Sequence, residues 1–120
     1  MAQHTDFSSD LLPTTVRDFM AAHVVHDDDT ASSFLTDDVL LVDVGETVRG
    51  REQVHAFLRD AGSRFDFTTQ QIGAHRVDDT HAVVTVRLEG TFPGGVAELD
   101  YGFTLRDDLV AELVIVNHDA

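Results

Sequence analysis

One carboxylate sits on an otherwise apolar strand. The run is Val39-Leu40-Leu41-Val42-Asp43-Val44. In a strand, alternate side chains share a face, so Asp43 points the same way as Val39 and Leu41. A carboxylate carried into an apolar pocket has its pKa raised and becomes a usable general base. The bland reading is a solvated carboxylate at the strand end, capping the turn at Gly45. Tyr101 offers the complementary chemistry. It falls mid-strand on an apolar face with Leu99 and Phe103, and a buried phenol needs a partner for its hydroxyl. Aimed at a substrate oxygen opposite Asp43, it would stabilise an oxyanion, and the pair would suit enolisation or cyclisation. Otherwise it is a core tyrosine bonded to backbone or to Asp43.

Other residues are candidates for the walls of a ligand pocket. Val16, Phe19, Met20 and His23 recur at helical spacing, and Phe57 belongs to a second apolar stripe with Val54 and Leu58. Val86 and Phe103 fall on apolar strand faces, and Asn117 is in register with Leu113 and Ile115. All these stripes are core first and pocket second. His23, His26 and Asp27 have a spacing that would suit a metal, but histidines in the last turns of a helix more often meet its dipole or line a pocket. His55 falls on the polar side of its helix, where a solvated ring is expected. No Ser-His-Asp order, phosphate loop, dinucleotide fingerprint or zinc motif is present, so no cofactor and no metal is expected.

The elements that must position these residues can be read from periodicity. Asp10 can cap a first helix, with Pro13 in its opening turn, and the Asp run at 27–29 ends it. Asp29 or Thr30 caps a short second helix to Leu35. Val39 to Val44 is a strand, Thr47 to Arg49 a short extended piece, and Arg51 to about Arg64 a third helix whose stripe also takes in Ala61 and Phe65. Strands follow at Thr68–Val77, Ala82–Phe92, Val96–Arg106 and Val110–His118, separated by Asp- and Gly-rich turns. Period-2 alternation with one polar face predicts an antiparallel sheet covered by helices on one side. The layout is α+β.

A chain of 120 residues, 42% apolar, has room for one domain. We expect a loose tail over residues 1–9 and a single domain over 10–120. No apolar run has the length of a membrane span, the N-terminal residues do not read as a secretory signal, and there is no cysteine. A cytoplasmic protein is the expectation. A net charge of −14 argues against nucleic acid and anionic membranes as partners. The eight basic residues are all Arg, and the acids are mostly Asp. A GC-rich genome or a high-salt cytoplasm would each produce that pattern.

The order helix–helix–strand–turn–helix–meander resembles the nuclear transport factor 2-like superfamily, which includes the ketosteroid isomerases and the SnoaL-like polyketide cyclases. The resemblance rests on Phe34-Leu35-Thr36-Asp37-Asp38-Val39, the strand end Val42-Asp43-Val44, the helix opening Val48-Arg49-Gly50-Arg51-Glu52 and the closing strands from Phe103 to Asn117. It implies a cone-shaped, curved antiparallel sheet with three N-terminal helices, also described as cystatin-like, and a homodimer formed through the outer sheet face. Laid against the isomerases, Asp43 falls where they keep the Asp that moves the proton. Phe19 falls where they keep a tyrosine, Tyr101 where they keep a protonated Asp, and Val44 where a Pro often follows the base. The reading is a pocket for a small apolar molecule. It would serve a cofactor-free isomerase, cyclase or dehydratase-like enzyme with Asp43 as base, or a non-catalytic ligand-binding or dimerisation module. Whether the chain is an enzyme stays open at this point.

Overall fold

A computed structural model describes residues 12–64 and 66–118, without the side chains of 61–64. The expected tail, the cap at Asp10 and the stripe positions Ala61 and Phe65 lie outside what it describes.

The first helix, α1 (Thr14–His23), starts one residue after Pro13, which takes the N-cap position with φ −54° and ψ 143°. Proline fixes that φ and has no N–H to leave unpaired. The helix points Val16, Phe19 and Met20 into the core, and His23 continues the same face one turn on. It stops before the Asp run. His26 adopts a left-handed φ of 60°, its N–H donates to His23 O, and the Asp27 N–H donates back to Ala22 O. That pair of bonds satisfies the last carbonyls of the helix, and His tolerates the left-handed region better than most residues. Asp27 then caps α2 (Asp28–Ser32), its Oδ1 accepting from the Thr30 N–H. The expected caps at Asp29 and Thr30 are therefore two and three residues too late, because the reversal at His26 frees Asp27 for the role.

Strand β1 (Leu35–Asp43) and β2 (Glu46–Arg49) form a hairpin. Its two turn residues, Val44 and Gly45, have φ of 45° and 92°, as a tight turn matched to the strand twist requires. Helix α3 (Arg51–Arg64) follows Gly50, and its Val54 and Leu58 are buried. Strands β3 (Phe67–Asp78), β4 (His81–Gly90), β5 (Val96–Arg106) and β6 (Leu109–Asn117) make an antiparallel meander.

The sheet order is β2-β1-β6-β5-β4-β3. One pairing departs from the expectation. β1 runs parallel to β6, so the six-stranded sheet is mixed and not wholly antiparallel. The alternation that suggested antiparallel pairing is the same for either direction, so the sequence pattern does not distinguish them.

The registers define rows across the sheet. On the inner face, Asp43, Ile115, Tyr101, Val84 and Ala74 are successive partners. The inner face and the helices close around Phe19, Leu41, Val54, Val86, Phe103 and Leu113, among others, each nearly free of solvent. On the outer face, Val42, Val114, Gly102, Val83 and His75 form one row. The expected polar groups flank it, with Arg87 paired to Glu89 and Glu98, and Asp100 held by Thr85 and His118. The outer face, expected to be polar, thus carries an apolar band between its charges.

Candidate active site

Asp43 is the last residue of β1, on the inner face with Val39 and Leu41, and is half-buried. Burial pushes its pKa up, and the neighbouring Glu46 carboxylate pushes it further. No hydrogen bond or ion pair satisfies its carboxylate among the described residues. Arg49 cannot serve, because it pairs with Leu40 on the opposite face of β1. The turn that follows is strained. Val44 is β-branched and left-handed, a combination rarely adopted, and its N–H is held by Ile115 O at 2.9 Å. The anchor from β6 fixes the backbone next to the carboxylate.

Tyr101 is 5% exposed. Burial raises its pKa and the Asp43 charge raises it again, so the phenol stays protonated. The electrostatic coupling and the shared row agree: both groups face the same interior, with Ile115 between them. Two strand spacings put their backbones about 10 Å apart.

The phenol's partner comes from the first helix. His23 Nε2 lies 2.9 Å from Tyr101 Oη. The imidazole is stacked on Phe19, with ring centroids 5.6 Å apart and planes 16° apart, and Phe19 in turn meets Phe103 edge to face. Burial lowers the His23 pKa to about 4, helped by His26, so the ring is neutral at neutral pH. The residue as a whole is half-buried, but its Nδ1 is sealed from solvent and has no hydrogen-bond partner among the described residues. Local spacing gave no sign of this pairing, since 78 positions separate the two residues. The available signal was that each falls on an apolar face and each carries a polar atom needing a partner.

The remaining candidates divide. Val16, Phe19, Met20, Val86 and Phe103 are packed into the closed core. Phe57 is half-buried against that core, and Asn117 is exposed at the end of β6. His26 does not join His23 in a ligand set; its ring meets Phe67 edge to face at 5.0 Å. Among the described residues no three His, Asp or Glu side chains converge as a metal site would require. His55 is less solvated than expected, its Nε2 lying 2.9 Å from Asp29 Oδ1. Clefts among the described residues lie away from Asp43. One, of about 390 Å³, runs along Asp37, Gly50 and Gln53. Another, of about 630 Å³, lies between Thr36, Asp38, Arg51 and Arg106, and is lined by ion-paired groups. A third, of about 280 Å³, lies over Gly102 on the outer face.

The fold matches one family. A SnoaL-like domain model matches residues 16–113, and the chain belongs to that family. Solved structures agree. A candidate polyketide cyclase from Sinorhizobium meliloti is 27% identical, with a TM-score of 0.84 over 92% of this chain and 100% of that one. A Mycobacterium tuberculosis protein in complex with estradiol-17β-hemisuccinate is 14% identical, with a TM-score of 0.72 over 88% and 92% of the two chains. A protein from Catenulispora acidiphila with a ketosteroid isomerase-like fold, in complex with trimethylamine, is 17% identical, with a TM-score of 0.74 over 87% and 85%. The last two share the fold, and they bind small molecules. No curated protein matches the chain. No helix among the described residues is long and apolar enough to cross a membrane.

Proposed function

We propose that the chain binds a small, largely apolar carbonyl compound over Ile115 and moves a proton on it. Asp43 is the general base and Tyr101 the oxyanion donor. The observation that carries this reading is the state of Asp43. It is a half-buried carboxylate with a raised pKa and no described partner, in one row with a protonated phenol. A carboxylate kept as an acid/base group needs those conditions, whereas a structural one is normally paired. The separation of about 10 Å is one that a ring lying over Ile115 would span. The reaction class is that of a cofactor-free isomerase, cyclase or dehydratase. The likeness to a candidate polyketide cyclase supports the same class.

A second reading is a ligand-binding or dimerisation module without turnover. The tight packing of Val16, Phe19, Met20, Val86 and Phe103 favours it, because these side chains leave little enclosed space beneath the helices. The Asp43→Asn variant discriminates. Binding of a conjugated or 1,3-dicarbonyl probe with proton exchange lost by 10²-fold or more, roughly the contribution of a general base, supports catalysis. Exchange at the wild-type rate in Asp43→Asn rules it out.

A further inference from the structure

We propose that His23 is the positioning residue of Tyr101: its Nε2–H donates to Tyr101 Oη, and the phenol O–H is thereby left free to donate to an oxygen of the bound ligand. The proposal rests on the site described above and deepens it by assigning the direction of one hydrogen bond and the ligand chemistry that follows.

Two neutral groups meet at 2.9 Å, and only two arrangements are open to them. In one, the phenol donates to a bare Nε2 and the proton of the imidazole sits on Nδ1. In the other, Nε2 carries the proton and donates to the phenol oxygen. The sealed Nδ1 decides between them. It has no partner among the described residues. The first arrangement would bury an N–H with nothing to accept it, and orphaned buried N–H groups are rare and costly. The second leaves an unused lone pair at the sealed Nδ1, and its one free donor is the phenol O–H, which can turn about its C–O bond to meet an acceptor as a fixed, sealed Nδ1–H cannot.

The stack on Phe19 holds the ring plane that aims Nε2 at the phenol. Phe19 and His23 lie one helical turn apart on the same face, so α1 delivers both as a unit. Tyr101 has no other hydrogen-bond partner among the described residues. With its oxygen already accepting from His23, its own proton must find an acceptor elsewhere. A ligand presenting a carbonyl or an anionic oxygen supplies one, and a ligand presenting only N–H or C–H groups does not. Asp43 on the same row is an acceptor, so a ligand spanning the two meets a donor at one end and a base at the other.

The test uses the full chain labelled with ¹⁵N-histidine. Long-range ¹H–¹⁵N spectra at neutral pH identify the protonated ring nitrogen, and His23→Phe assigns the signal among the seven histidines. A proton on Nε2 is expected. A proton on Nδ1 overturns the proposal whatever the ligand does, and leaves the reading of Asp43 untouched. The ligand arm compares 2-acetonaphthone with 2-ethylnaphthalene, which differ by one acceptor oxygen. The ketone is expected to bind up to about tenfold more tightly, the worth of one neutral hydrogen bond. That preference should vanish in Tyr101→Phe, fall in His23→Phe and return in His23→Gln, whose amide can donate at similar reach. A preference unchanged in both His23 variants overturns the positioning role. Failure of the ketone to bind, with the proton on Nε2, overturns the proposal through the site on which it rests.

Discussion

Asp43 and Tyr101 stand in one cross-strand row with Ile115 between them, and the Asp43 charge adds to the cost of ionising the buried phenol. The relationship is built by two different pairings, one parallel and one antiparallel, that meet on β6. It ties a carboxylate near the start of the fold to a phenol near its end.

The Asp43 charge carries a folding cost. Its folded pKa lies above the ordinary 3.8. The folded protein therefore holds that proton at pH values where the unfolded chain has released it. Stability falls as pH rises from about 3.8 through the folded pKa, and the penalty is constant above it. Asp43→Asn should therefore be more stable than the wild type at neutral pH, and the gain should vanish below that window. Urea titrations at pH 3 and pH 7 measure both ends. An Asn variant less stable at pH 7 would mean that Asp43 has a partner in the folded state.

His23 acts in the opposite sense. Its folded pKa of about 4 lies below the ordinary 6.5, so the unfolded chain binds the proton first as pH falls. Stability is whole above 6.5 and is lost progressively down to about 4. At 1.36 kcal/mol per unit, the loss is about 3 kcal/mol. His23→Phe keeps an aromatic ring against Phe19 and should remove that acid sensitivity, while costing about 1–3 kcal/mol at pH 7 for the unpaired Tyr101 hydroxyl. The measurement is the slope of unfolding free energy against pH between 4 and 7. A slope unchanged in the variant would assign the acid sensitivity to other groups.

Val44 stores strain beside the base. It is left-handed, β-branched and 54% exposed. Val44→Asn should raise stability by about 1 kcal/mol, because Asn accepts this backbone and the side chain buries little. Differential scanning calorimetry gives the change in Tm. A fall in Tm would show that Val44 makes a packing contact that outweighs the strain.

The apolar band on the outer face suits a second copy of the chain. Val42, Val114 and Val83 run across it, and the ion pairs at Arg87 and Asp100 flank it. A homodimer with an apolar centre and charged rim should persist in high salt. Light scattering of the wild type and Val114→Asp at low and high ionic strength tests this. A wild-type monomer throughout, or a Val114→Asp dimer of unchanged affinity, would sink the dimer.

What could be read from the sequence follows from the range of each interaction. The third helix and β5 have the limits their periodicities imply, because a stripe such as Val54, Phe57 and Leu58 or Tyr101, Phe103 and Leu105 repeats over several turns or rungs. The inward side of β1 was legible for the same reason. Caps were legible only in kind: an Asp opens α2, but which one depends on the reversal at His26. The direction of β1 against β6 leaves no mark in alternation. The meeting of His23 with Tyr101 depends on how α1 crosses the sheet, and no local spacing encodes it.

The parallel pairing of β1 with β6 also has a temporal side. Asp43 and its row partner Ile115 are among the most sequence-distant contacts of the fold, and closing such a loop is slow compared with forming a hairpin. A chain emerging from the ribosome can complete α3 and the β3–β4 hairpin while Asp43 still has no neighbour from β6. The chemistry of the row therefore comes into being only with the last strand, and an internal deletion within residues 109–117 would remove the site without touching either of its two ionisable groups.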